Sequence, residues 1–180
     1  MKKIVLLSIY FVFTNCAFAQ TYEEKREASL ALIGQPVQDH TFLTLNKQEV
    51  TFDSLKGKTT IAYFFASWCS PCYTKLENLG KAIEDKTPTV NVIAISLDED
   101  WVKLERMLVK TGYTAEVWKS SSPKAVLQNR MFANFSGSLP HIVKINEHGI
   151  LEEINWHIES QEQWSACLSG EVSLSEASRI

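Results

Sequence analysis

The reading of the fold turns on residues 59–72: T-T-I-A-Y-F-F over 59–65, then A-S-W-C-S-P-C over 66–72. The first half is an unbroken run of β-branched and aromatic residues. Continuous rather than alternating apolarity is the pattern of a strand covered on both faces. The run stops at Ala66-Ser67-Trp68. Pro71 suits the first turn of a helix, where its missing N–H costs nothing. Beyond it Cys72, Leu76, Leu79 and Ile83 recur at spacings that fall on one helical face. Cys69 and Cys72 therefore form a Cys-x-x-Cys where a buried strand turns into a helix.

That position has chemical consequences. The free N–H groups and dipole of a helix N-terminus favour an anion there, and the thiolate is the attacking species in disulfide exchange. Cys69 is expected to attack a disulfide in a substrate. Cys72, one turn in and less exposed, is expected to resolve the mixed disulfide. The motif has two plainer readings. One is half of a zinc site, but no second ligand pair follows: Cys167 stands alone, and His40, His141, His148 and His157 lack ligand spacing. The other is an inert structural disulfide. No metal and no cofactor are expected.

Working outward, 42–45 and 50–52 read as a short hairpin about Asn46-Lys47. Residues 90–96 form the next buried strand. Asp98 or Asp100 can cap a helix bearing Trp101, Leu104, Met107 and Leu108, and Gly112 ends it. A short strand at 116–118 precedes a helix that starts at Ser122-Pro123 and is expected to run through Val126, Leu127, Met131 and Phe132. After Gly137-Ser138-Leu139-Pro140 come strand 141–145, a turn, and a return strand at 150–154. A last helix is expected at 160–168, with Ser160 and Gln163 spaced as a capping box. Strands and helices alternate and a hairpin closes the series, which implies an α/β sandwich with a mixed sheet. We divide the chain into a signal peptide (1–19), an N-terminal helix or tail (20–33), one domain (34–168) and a flexible C-terminal tail (169–180).

The leader reads as an address. Lys2 and Lys3 precede an apolar run from Ile4 to Phe13, and Ala17-Phe18-Ala19 offers small residues at a cleavage site. The run falls short of the ~20 residues that span a bilayer. Lipidation at Cys16 or a membrane anchor is the secondary reading. Export places the protein in an oxidising compartment. Of 180 residues, 45% are hydrophobic and 22% charged, with a net charge of −3, which excludes a disordered chain and a broadly basic nucleic-acid binder. Four cysteines are too few for a disulfide scaffold.

A-Y-F-F-A-S-W-C-S-P-C resembles the active-site segment of thioredoxin-fold proteins. Residues 33–58, the V-I-A-I-S-L-D-E-D-W segment and S-L-P-H-I-V-K-I-N-E-H-G are similar to the N-terminal hairpin, central insertion and cis-proline loop of the exported TlpA/ResA-like branch. The resemblance implies a thioredoxin-like three-layer sandwich with a central mixed sheet. It implies a cis peptide bond at Pro140, facing the disulfide, and a backbone at Leu139 that accepts a substrate strand. Trp68 would shield the pair and offer contact area, with core packing as its plainer role. Pro71 stiffens the turn. The expected activity is thiol–disulfide exchange with protein substrates, in the reducing direction, fed by a membrane-bound electron donor and performed by a monomer. A peroxiredoxin-like peroxidase is the rival enzyme, but its Pro-x-x-x-Thr/Ser-x-x-Cys pocket is missing. A non-catalytic module that binds peptides or a metal is the rival from another class.

The chain departs from that pattern in its acids. Thioredoxin's buried acid is replaced by Tyr63. The branch's acid after the second cysteine is replaced by Lys75, with Glu77 in place of a following proline. Lys75, one turn beyond Cys72, is expected either to favour a thiolate or to point idly to solvent. His141 is expected to assist proton transfer if it lies near Cys69, its plainer reading being a strand residue that faces elsewhere. Cys167 shares a helical stripe with Trp164 and Leu168 and reads as a core thiol, with an additional redox thiol as the alternative.

Overall fold

The computed structural model describes residues 20–170 and 172–180; the leader, Cys16 included, lies outside them. The strands are β1 (Phe42–Thr44), β2 (Glu49–Val50), β3 (Thr60–Phe65), β4 (Asn91–Ser96), β5 (Val117–Ser120), β6 (His141–Ile145) and β7 (Leu151–Asn155). They make one sheet in the order β2-β1-β5-β4-β3-β6-β7. Strands β3, β4 and β5 run parallel, while β1, β6 and β7 pair antiparallel to their neighbours. The helices are α1 (Tyr22–Leu30), α2 (Ser70–Asp85), α3 (Trp101–Thr111), α4 (Pro123–Gln128), α5 (Gln161–Ser169) and α6 (Leu174–Ala177). This is the mixed sheet flanked by helices that the sequence implies.

Every residue of β3 is buried, so side-chain alternation sends half of the strand into each layer. Ile61, Tyr63 and Phe65 face a core that holds Cys69, Cys72, Leu76 and Leu79 of the α2 region together with Trp164 and Leu168 of α5. Ala62 and Phe64 face a second core of Phe42, Phe52, Trp118 and Phe132. Local chemistry fixes several ends. Asp100 caps α3 by accepting from Val102 N–H at 2.8 Å, Gly112 closes it in the left-handed region, and Ser160 with Gln163 forms the capping box of α5.

Two expectations fail here. Helix α4 stops at Gln128 rather than reaching Phe132. Arg130, Phe132 and Ala133 take left-handed backbone angles around a 3-10 turn, Met131–Ala133. That bend drives the Phe132 ring into the second core, against Phe64 at 5.0 Å and Phe42 at 5.8 Å. Nor does the C-terminal stretch read as a loose tail. Ser173 caps α6 with Glu176 in a capping box, and Leu174 and Ala177 are buried in the α2-side core. Asn155 Nδ2 donates to the Leu174 carbonyl at 2.9 Å. Two apolar residues on one face of a single turn suffice to dock it, too faint a pattern for periodicity to register.

Candidate active site

The buried strand β3 ends at Phe65, and the chain turns through Ala66–Trp68 into α2. Cys69 is the N-cap of α2, in extended backbone geometry, and Pro71 sits in the first turn. Cys69 N–H donates to the Ala66 carbonyl at 3.0 Å and Cys72 N–H to the Cys69 carbonyl at 3.1 Å. The two sulfurs are joined, with Cα atoms 5.4 Å apart. Cys69 keeps 6% of its surface and Cys72 none. Ser70 and Pro71 are exposed beside them. Of the two sulfurs, Cys69 is therefore the accessible one, and it stands where helix N–H groups best support a negative charge.

Strand β6 brings the proline loop alongside. His141 pairs with Phe64, the last pair of the β3–β6 ladder, so the proline loop enters β6 next to the end of β3. The Leu139–Pro140 peptide bond is cis. Leu139 packs on the core that contains both cysteines. Asn134 Nδ2 holds the loop by donating to the Ser138 carbonyl at 2.9 Å.

Trp68 is 60% exposed, which excludes core packing. Its ring walls a cleft of about 300 Å³ with Leu97, Pro123 and Leu127. Lys75 does not point idly to solvent. Its side chain is 12% exposed and its Nζ donates to the Trp156 carbonyl at 3.2 Å while pairing with Glu159 at 3.1 Å. Glu77 turns elsewhere, to Lys81 at 2.6 Å.

The structure does not bring His141 to the disulfide. As the partner of Phe64 it projects into the second core, and the neighbouring Ile142 takes the cysteine side. The ring is 1% exposed, and its Nε2 donates to the Phe132 carbonyl at 2.7 Å. Burial drives its pKa down to about 4, only partly opposed by that hydrogen bond. A neutral imidazole on the far face of the sheet is no proton carrier for Cys69.

Tyr63, where thioredoxin has its acid, donates from its hydroxyl to the Cys72 carbonyl at 3.3 Å. Burial, helped by the nearby Tyr113, pushes its pKa up, so the group stays a neutral donor. Burial also pushes the Cys167 thiol up to about 12, and it remains a protonated core residue. Among the described residues no group of three or more His, Cys, Asp or Glu is arranged to hold a metal ion.

The sequence reading missed Ser67 and Asp98. Asp98 does not cap α3. It is 2% exposed and accepts from Ser67 N–H at 2.9 Å and from Ser67 Oγ at 2.6 Å. The available signal was positional: both residues stand two past the ends of neighbouring strands.

A central parallel strand feeding a Cys-x-x-Cys helix, with a cis-proline strand end beside it, is the plan of thioredoxin-fold proteins with a redox cysteine pair. The chain belongs to the AhpC/TSA family, whose profile matches residues 33–154. It is 22% identical over 152 residues to the thioredoxin-like protein YneN of Bacillus subtilis, covering 84% of this chain and 86% of that one. Two solved structures share the fold. A thiol:disulfide interchange protein from Bacteroides sp. is 17% identical with a TM-score of 0.60, over 75% of this chain and 87% of the other. A secreted Mycobacterium tuberculosis disulfide oxidoreductase is 17% identical with a TM-score of 0.56, over 72% and 94%.

Proposed function

We propose that the protein is an exported thiol–disulfide oxidoreductase that passes two electrons between its Cys69–Cys72 pair and disulfides of other proteins. The observation that carries the reading is the asymmetry of the pair: Cys69 reaches the surface at the N-cap of α2 and Cys72 is fully buried behind it. In the reducing direction the Cys69 thiolate attacks one sulfur of a substrate disulfide. The other substrate sulfur leaves with the electron pair and takes a proton. Cys72 then loses its proton and attacks Cys69 Sγ, which closes the protein's own disulfide and releases the second substrate thiol. The protein is left oxidised and the substrate reduced. An external donor must restore the dithiol, and we assign that role to a membrane-bound reductant. The chemistry resides in the two sulfurs and calls for no bound cofactor.

We assign the substrate contact surface to Trp68, which precedes Cys69 in the chain, and to the Leu139–Pro140 edge, where Leu139 packs on the core that holds both cysteines. Lys75 acts as a modulator, with its charge offset by Glu159. The leader supports delivery to the periplasm, and the secreted relative is consistent with that. No helix among the described residues is long and apolar enough to cross a membrane. The protein is read as a monomer without affinity for nucleic acid. A peroxidase would need a pocket motif that the sequence lacks.

Insulin reduction with dithiothreitol as electron source tests the reading. Wild type is expected to accelerate precipitation of the reduced chains, Cys69→Ser to abolish the effect, and Cys72→Ser to accumulate a mixed disulfide. Turnover by Cys69→Ser equal to wild type would refute it.

A further inference from the structure

Strands β3 and β4 run parallel with Phe65 opposite Ser96, and Leu97 N–H donates to the Phe65 carbonyl at 2.8 Å. Two residues on, Ser67 lies beside Asp98 and bonds to it. The Asp98 carboxylate is a pure acceptor there. Oδ2 takes Ser67 N–H at 2.9 Å and the Ser96 hydroxyl at 3.0 Å, and Oδ1 takes the Ser67 hydroxyl at 2.6 Å. These donors are neutral, and the 2.6 Å bond from the Ser67 hydroxyl is as short as O–H···O bonds to a carboxylate run. Burying a carboxylate under a turn is costly unless hydrogen bonds replace its lost water. What they hold is the residue two before Cys69.

The surrounding charges come from three elements. Lys119 of β5 lies buried under the Trp101 ring, 5.3 Å from its centroid, and is attracted by Asp98, Glu99 and Asp100. Lys103 of α3 and Lys124 at α4 line the cleft, where Lys124 is already paired with Glu99 at 3.0 Å.

We propose that Asp98 is a positioning residue of the redox site: it seats the turn that carries Trp68 and Cys69 and keeps a fixed negative charge under that turn, two residues before the attacking thiol. The inference rests on Cys69 being that thiol. The α2 N-terminus favours the Cys69 thiolate, and Asp98 opposes it. The balance keeps the thiol less acidic than a bare helix N-cap would make it. The clamp and the charge are separable. In Asp98→Asn the amide oxygen can still accept from Ser67 N–H, and the amide N–H can donate to the serine hydroxyls. Position survives and the charge is lost. Asp98→Ala loses both, and Ser67→Ala weakens only the clamp.

The test is the pH titration of the Cys69 thiolate by its ultraviolet absorbance, together with the rate of the reduced protein on hydroxyethyl disulfide, a small neutral substrate. Neither readout requires that proteins be the natural substrate, so failure here is distinct from failure in the insulin assay. Asp98→Asn is expected to lower the proton affinity of Cys69 about threefold or more and to keep its rate within about threefold of wild type, because a more acidic thiolate is also less nucleophilic. Asp98→Ala is expected to slow exchange about tenfold, in line with misplacement of a reacting group. Ser67→Ala shows the smaller loss and replaces Asp98→Ala if that variant does not fold. A Cys69 titration in Asp98→Asn that coincides with wild type overturns the charge assignment. Wild-type exchange rates in Asp98→Ala, or in Ser67→Ala if it stands in, overturn the positioning assignment.

Discussion

The two faces of the central sheet are built from the same strands and do different work. The face toward α2 and α5 carries the sulfurs and is chemically mixed: Cys69, Cys72, Cys167, Tyr63, Tyr113 and Trp164 pack there among aliphatic residues. The opposite face is an aromatic cluster in which Phe42, Phe52, Phe64, Phe132 and Trp118 meet at ring separations of 5.0–6.0 Å. That face shapes the chain leading to the cis-proline. His141 holds the Phe132 carbonyl inside the left-handed bend, and Gln38 Oε1 accepts from Phe132 N–H at 3.0 Å. One face thus holds the reacting atoms and the other holds the loop beside them. Residues adjacent in sequence, such as His141 and Ile142, serve opposite layers.

The strongest way to break this division is to empty the aromatic face. Phe42 is fully buried between Phe52, Trp118 and Phe132. Phe42→Ala is expected to destabilise the fold by about 3–5 kcal/mol in urea unfolding. The Cys69 titration should stay as in wild type, because the sulfurs lie in the other layer. A shifted titration would mean that the faces are coupled.

His141 gives the next effect, and it depends on pH. Its folded pKa is depressed to about 4 by burial, against about 6.5 in an unfolded chain. The unfolded state binds the proton more readily. The stability contribution is therefore full above about pH 6.5 and falls away as the pH drops toward 4, by about 3 kcal/mol in all. His141→Gln, which can still donate to the Phe132 carbonyl, should remove that component of the stability–pH slope. The pH–rate profile of exchange should remain unchanged between pH 5 and 8, the range in which an ordinary histidine titrates. A His141-dependent rate profile would return this residue to the chemistry.

Lys75 has the smallest expected effect. Its partner Glu159 is 65% exposed, so the ion pair is worth less than about 1 kcal/mol. Lys75→Ala should raise the proton affinity of Cys69 at most about threefold, because Glu159 already offsets the ammonium. An unchanged titration would reduce Lys75 to a fastener of the Trp156–Glu159 segment.

The unbroken apolar run before Cys69, the proline after it and the helical spacing of Leu76 and Leu79 made the strand–helix junction readable from the sequence. Those signals are local and repeat every few residues. The end of α4 was not readable, since helix-spaced apolar residues continue through Phe132 and only the aromatic pocket across the sheet makes a left-handed bend worthwhile. The role of Asp98 was hidden for a related reason. A carboxylate just before a helix looks like a cap, and Asp100 took that position.

By itself the sequence determined the order of strands and helices as far as α5, the redox pair and the end of the helix it sits on, because backbone periodicity, proline and helix-terminal electrostatics act over a few residues. Tertiary structure alone decided which face each side chain serves: His141 away from the sulfurs, Lys75 against Glu159, Asp98 beneath the turn. The placements of His141 and Asp98 follow from strand register and that of Lys75 from the segment before α5 packing on α2, and both are settled by residues thirty and more positions apart in the chain packing against one another.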